Sequence, residues 1–305
     1  MVAVGKALAI SPGARVGIAA PAGVVDPHCI ESGEDALRGL GFEPVRRPGL
    51  LDRFGYLAGT DERRAGELMS LIEDSEIAAV VCARGGYGSG RILDKLDPDV
   101  FRRARKPLVG YSDITALLLW QQRVAGLMGI HGPMLEKPAG FSAQAGKALF
   151  QALTGEGPLG RLTGQPVAPG RAEGRLTGGS LTLVTASLGT TWEVDTRGAI
   201  LMLEEVSETP YRIDRQLQQL KSAGKLELLA GVGLGEMWKC HDDRYPERDV
   251  TAVLKEVLLP LEVPVVSGLP FGHGGENLCW SVGALAAIDG DRGELEMLES
   301  AVAAQ

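Results

Sequence analysis

Lys106–Trp120, KPLVGYSDITALLLW, is the stretch that decides the fold. A short apolar run, Pro107 to Tyr111, ends in Gly110-Tyr111-Ser112 and passes directly into helical spacing. A strand, a sharp turn at the serine and a helix behind it form the repeating unit of parallel α/β sheets. The same unit lifts a hydroxyl out of the sheet and aims the first helical N–H groups at one point. The match to Gly-x-Ser-x-Gly is incomplete, because Gly110-Tyr111-Ser112-Asp113-Ile114 keeps the first glycine and replaces the second. Taken by itself, the turn leaves two readings of Ser112: an exposed nucleophile, or an N-cap before an apolar helix.

On either side of this stretch the first half alternates apolar runs (Arg15 to Ala20, Ile77 to Ala83, Pro107 to Tyr111) with helical patterns (Cys29 to Leu40, Asp61 to Ile72, Ala116 to Val124). That alternation is the mark of βαβ units on a parallel sheet. Between Ala139 and Gly174 the texture turns to Gly, Pro, Thr and Arg, as in GEGPLGRLTGQPVAPGRAEG, which reads as a crossing between domains. The expected division is an N-terminal α/β domain over 1–150, a linker over 151–174 and a mixed α/β C-terminal domain over 175–305. In the last of these, Ser180 to Ser187 and Tyr211 to Ala223 read as helices. Ala199 to Leu203 reads as a buried strand ending at Glu204-Glu205, with further apolar runs at Leu228 to Met237 and Val263 to Leu269.

A chain of 305 residues with 45% hydrophobic and 23% charged residues is ordinary for a globular protein of one large or two ordinary domains. A net charge of −8 excludes nucleic acid as the expected partner, since phosphate binding wants a basic face. The densest basic cluster, Arg102, Arg103, Arg105 and Lys106, reads as a solvated helix end. Cys29, Cys82, Cys240 and Cys279 have neither metal-site spacing nor disulfide density, which points to a reducing compartment. The Val16 to Ala20 stretch is too short for a signal-peptide core and no run reaches membrane length, so a cytoplasmic protein without membrane association is expected.

Ligands of parallel α/β sheets sit at the carboxyl ends of the strands. There the chain places Arg84-Gly85-Gly86-Tyr87-Gly88-Ser89-Gly90, then Ser112, Glu204, and Pro270-Phe271-Gly272-His273-Gly274-Gly275. His273, flanked by glycines, suits a base that a ligand can approach, and Glu204 or Glu205 can hold its tautomer. The glycine loop, leading into a helix, allows a phosphate cradle but lacks the Lys-Ser/Thr pair of a P-loop. Alternatively its N–H groups complete an oxyanion hole, Gly86 on one side and Asp113 on the other.

With those segments in order, the chain resembles the LD-carboxypeptidases of the serine peptidase S66 type and the related microcin C self-immunity peptidases. The resemblance rests on Ala20-Pro21-Ala22-Gly23, CARGGYGSGRIL from Cys82, GYSDIT from Gly110 and HGPM from His131. It continues in GGSLTLV from Gly178, LEEVSETPYRIDRQLQQL from Leu203 and LPFGHGGEN from Leu269. It implies a flavodoxin- or amidotransferase-like N-terminal sheet carrying the serine and a smaller C-terminal domain carrying Glu and His, with the active site at their interface. It implies a triad of Ser112 as nucleophile, His273 as general base and Glu204 as orienting carboxylate. Glu204 is favoured over Glu205 because the family pattern is Leu-Glu followed by Asp or Glu.

Gly86 and Asp113 would then donate the oxyanion-hole N–H groups. Recognition of a terminal carboxylate calls for a cation, for which Arg84 and Arg212 are the candidates. The implied activity is release of the terminal D-alanine of muropeptide tetrapeptides in cytoplasmic cell-wall recycling, by a homodimer needing no metal or organic cofactor. The alternatives are an amidase acting on microcin-type acyl-sulfamoyl adenylates and, in another class, a non-catalytic nucleotide- or phosphate-binding protein. Two departures stand out: Ser180 occupies a position where the family usually has Asn, and the stretch after His273 is less typical, which leaves the role of Asn277 open. The loops 139–174 and 238–248 are expected to select the amide, with Trp192 or Trp238 available for stacking on a nucleobase.

Overall fold

A computed structural model describes residues 4–157 and 160–303, which divide into two compact units. The first holds the described residues up to 157 together with Leu278–Gly283 and those from Ser300 onward; the second holds those from 160 to Asn277 and Ala284–Glu299.

The first unit is built on a six-stranded sheet in the order Trp280–Val282, Gly129–His131, Leu108–Gly110, Ala79–Cys82, Arg15–Ala19 and Glu43–Arg46. Every pairing is parallel except that of the returning strand Trp280–Val282. Ala79–Cys82 and Leu108–Gly110 are buried along their whole length, as expected of central strands covered on both faces. The crossover helices begin where side chains cap them. Asp26 accepts from His28 N ahead of Pro27–Gly39, and Thr60 accepts from Arg63 N ahead of Asp61–Glu73. The helix behind Ser112 runs from Thr115 to Trp120, buried at every residue, and loosens into a π turn over Gln121–Ala125.

The second unit is a mixed eight-stranded sheet. Its order is Arg161–Thr163, Glu294–Met297, Leu285–Asp289, Arg171–Ser180, Ala199–Val206, Gly231–Trp238, Val265–Ser267 and Gln165–Ala168. The four strands from Arg171–Ser180 to Val265–Ser267 are parallel and the flanking ones antiparallel. The helices Leu181–Ala186, Pro210–Ser222 and Val250–Leu258 accompany them.

Three expectations need correction. The stretch 151–174 is no linker: it holds the end of the helix Ala143–Thr154, the strands Arg161–Thr163 and Gln165–Ala168, and the start of Arg171–Ser180. Gly164 turns between the two edge strands and Pro166 stands within one of them, a composition that looks like a linker when read without the fold. The C-terminal domain does not run unbroken from 175 to 305, because Leu278–Gly283 and the last described residues belong to the first unit. The strand Ala199–Val206 continues through Glu204 and Glu205 instead of ending before them.

Candidate active site

Ser112 stands on a backbone that L-residues rarely adopt, at φ 60°, between extended Tyr111 and the turn Ser112–Ile114 that opens the helix. Two glycines make room for the turn. A Cβ on Gly110 would stand 2.7 Å from Ile114 Cγ2, and one on Gly85 would stand 2.8 Å from Ser112 Cβ and 2.9 Å from its Oγ. A left-handed serine under that crowding is strain held by its surroundings, the arrangement that exposes a nucleophile at a strand–helix junction. The N-cap position of the helix Thr115–Trp120 is occupied by Ile114, not Ser112.

The same Gly85 position lies 3.1 Å from Asp113 N, so the Gly86 N–H that follows and the Asp113 N–H belong to one small region beside the serine. The Asp113 side chain turns away from that region. Its Oδ2 accepts from Ser89 N at 2.8 Å, while Ser89 Oγ donates to Asp113 O at 2.5 Å, tying the glycine loop to the serine turn. The loop is followed by the 3-10 turns Ser89–Arg91 and Leu93–Lys95, not by the expected α-helix. A phosphate cradle would lean on a helix dipole, which is therefore missing behind this loop.

Buried Arg64, which carries no signal in the sequence, fastens the other edge: its Nη1 donates to Pro21 O and, at 2.7 Å, to Gly88 O, and its Nη2 pairs with Asp61. Glu67 accepts from Ala20 N at 2.8 Å, and burial raises its carboxyl above the usual range. These interior side chains hold the loops after the first and third parallel strands of the sheet.

In the second unit His273 Nδ1 lies 2.6 Å from Glu204 Oε2, across 69 positions of sequence. Glu204 is fully buried while the imidazole keeps 16% of its surface, so one ring edge is gripped and the rest is reachable. Glu205 is engaged elsewhere, its Oε2 accepting from Thr182 N at 2.8 Å and its Oε1 from Val206 N at 2.9 Å. Asn277, whose role the sequence leaves open, accepts from Gly272 N at 3.2 Å. Ser180 pairs in register with Glu204.

The two candidate cations are both exposed. Arg84 donates to Val24 O at 2.7 Å, within its own unit beside the glycine loop. Arg212 lies near the start of the helix Pro210–Ser222 and is engaged by Tyr211 OH at 3.3 Å and Glu208 at 3.4 Å. Trp238 is exposed with the Lys239 ammonium 5.9 Å from its ring centre, and Trp192 is half-buried in a turn. All four cysteines are free and buried, and burial pushes the Cys240 thiol up to about 11. Among the described residues no cluster of three or more His, Cys, Asp or Glu is arranged to hold a metal ion, and no helix is long and apolar enough to cross a membrane.

A serine on a strained strand–helix turn and a histidine gripped by a buried glutamate are groups of the kinds that acyl-transfer hydrolases use. The chain belongs to the Peptidase S66 family of LD-carboxypeptidases. The family's N-terminal domain model matches residues 16–132 and its C-terminal domain model residues 173–288.

A probable murein peptide carboxypeptidase of Bacillus subtilis strain 168 is 37% identical over 93% of this chain and 91% of its own length. A murein tetrapeptide carboxypeptidase of Pseudomonas aeruginosa is 33% identical over 91% of this chain and 94% of its own. The crystal structure of muramoyltetrapeptide carboxypeptidase from Oxalobacter formigenes superposes with a TM-score of 0.85 at 28% identity, covering 94% of this chain and 99% of that one. The protein is thus a hydrolase of the carboxypeptidase class with the two-domain S66 fold.

Proposed function

We propose that this chain is a serine-type LD-carboxypeptidase that removes the terminal D-alanine from murein tetrapeptides. The observation that carries the reading is the buried Glu204 bonded to His273 Nδ1 at 2.6 Å, which assigns proton transfer to the other ring nitrogen, Nε2. In this reading Nε2 takes the proton of Ser112 as its Oγ attacks the amide carbonyl, and Glu204 stabilises the imidazolium. The Gly86 and Asp113 N–H groups receive the developing oxyanion. His273 then returns the proton to the departing amine of D-alanine. Water, deprotonated by the same ring, cleaves the acyl-enzyme and restores the serine.

Arg84, exposed beside the glycine loop, is the cation assigned to the terminal carboxylate, with Arg212 as the second candidate. The relatives' names support a murein-derived peptide as substrate. A homodimer working in the cytoplasm completes the reading, in keeping with four free, buried thiols.

The test is hydrolysis of a murein tetrapeptide ending in D-alanine, in parallel with an aspartyl sulfamoyl adenylate, by the wild type and Ser112→Ala. Release of D-alanine that falls by about 10⁴- to 10⁶-fold in the variant is the expected result. Cleavage of the adenylate alone would reassign the substrate, and undiminished turnover by Ser112→Ala would remove the serine mechanism.

A further inference from the structure

His273 sits on a turn of glycines, a backbone with little stiffness of its own. Something else must hold the ring against Glu204. The strand Gly231–Trp238 supplies it through an irregularity in its pairing with Ala199–Val206. Leu203 pairs with Leu234 but Glu205 pairs with Met237, so Gly235 and Glu236 together stand opposite the single residue Glu204. Bulges of this kind re-aim a side chain at the edge of a site.

The bulged residue meets the histidine turn twice. Glu236 N donates to Phe271 O at 3.0 Å on one side of His273. On the other side its carboxylate accepts the Gly275 N–H through both oxygens, at 3.1 and 3.0 Å. Each glycine beside His273 leaves its space to a carboxylate: a Cβ on Gly272 would stand 3.1 Å from Glu204 Oε2, and a Cβ on Gly274 would fall inside the Glu236 carboxylate. Buried Asn277 braces the Gly272 N–H at 3.2 Å. The histidine is therefore bracketed by a glutamate that touches its ring and a glutamate that holds the backbone of the turn on either side of it.

We propose that Glu236 is the positioning residue of His273: through Phe271 and Gly275 it clamps the turn so that Nδ1 stays on Glu204. The inference rests on the serine-hydrolase reading for what His273 does, and on the geometry of the second unit alone for how the ring is held. A carboxylate acting as a backbone acceptor is replaceable by an amide. One acting through its charge is not.

Three variants separate the possibilities: Glu236→Ala, the volume-matched Glu236→Met, and Glu236→Gln, which keeps an acceptor oxygen. Two readouts are taken on each: kcat and KM for the tetrapeptide, and the low-field proton NMR signal of the His273–Glu204 hydrogen bond in the unliganded protein. Glu236→Met and Glu236→Ala are expected to lower kcat by about 10- to 100-fold with KM within about 2-fold, and to broaden or erase the signal. Glu236→Gln is expected to stay within about 3-fold of the wild type with the signal present.

A signal and kcat unchanged in Glu236→Met would overturn the clamp, and so would a Glu236→Gln variant as impaired as Glu236→Met at equal thermal stability. The NMR readout needs no turnover. If the wild type fails to cleave the tetrapeptide while the signal still follows the variants, the functional reading falls and the clamp stands.

Discussion

Ser112 and His273 both sit on turns that follow a strand, yet the two turns are held by opposite means. The serine turn is held chiefly by close packing: Ser112 at φ 60° fills the space a side chain on Gly85 would take, a wholly buried helix backs it, and the neighbouring Asp113 is tied to Ser89. The histidine turn is held by acceptors: Glu204 on the ring, Glu236 on Gly275 N–H and Asn277 on Gly272 N–H. A crowded turn fails when volume is added, and an acceptor-held turn fails when an oxygen is lost. The first unit should thus be sensitive to one methyl group and the second to the exchange of single polar atoms.

The largest effect separates the two adjacent glutamates. Glu204→Gln, which keeps the shape but loses the negative charge that fixes the Nδ1–H tautomer and stabilises the imidazolium, should lower kcat by about 10⁴-fold. Glu205→Gln should leave kcat within about 10-fold and instead destabilise the fold by about 1–2 kcal/mol, because its oxygens accept from Thr182 N and Val206 N. Steady-state kinetics and thermal melts on both variants decide this; equal losses of kcat would break the distinction.

Next comes the methyl test. Gly85→Ala brings a carbon to 2.8 Å from Ser112 Cβ and should lower kcat by about 100-fold, while the Glu204–His273 proton signal in the other unit stays as in the wild type. A variant of full activity would show that the serine turn is looser than its contacts imply.

The smallest effect is in acid. Arg91, through its hydrogen bonds, holds the Asp61 carboxyl below its ordinary 3.8 in the network that also carries buried Arg64. In the second unit Arg244 holds Asp242 down to about 2. Both folded values lie below the unfolded one, so each contribution is present above about pH 4 and fades as the pH falls through the folded value. Melting temperatures taken from pH 5 to pH 2 should fall less steeply in Asp61→Asn and Asp242→Asn than in the wild type. Asp61→Asn should show the larger difference because its partner network reaches the interior, and equal slopes in all three proteins would remove both contributions.

The candidate serine turn was legible in the sequence because everything that makes it is contiguous: the apolar run, the glycine, the serine and the helix lie within Lys106–Trp120. Three of the five parallel strands of the first unit were legible for the same reason, as periodicity alternates in plain order from Arg15 to Val124, whereas the short strands Glu43–Arg46 and Gly129–His131 were not. The edges of the second sheet were not. Arg161–Thr163 and Gln165–Ala168 are short strands with mostly exposed residues, so they lack an apolar signature and read as loop. Arg64 and Glu236 were not legible, and Asn277 only as an open question, because their importance comes from what lies opposite them. A buried arginine and an exposed one are the same letter.

The residue types of the site, their order and the strand–turn–helix at Ser112 were determined by the sequence alone, because they depend on spacing and local backbone preference. Which of two neighbouring glutamates faces the histidine, that a bulge aims Glu236 at the same turn, and that the strand Trp280–Val282 returns to the first sheet were decided only by the tertiary structure. Side-chain direction in a strand alternates with every residue and is reset by a single extra one. A register shift at Gly235–Glu236 therefore outweighs anything the letters there could announce.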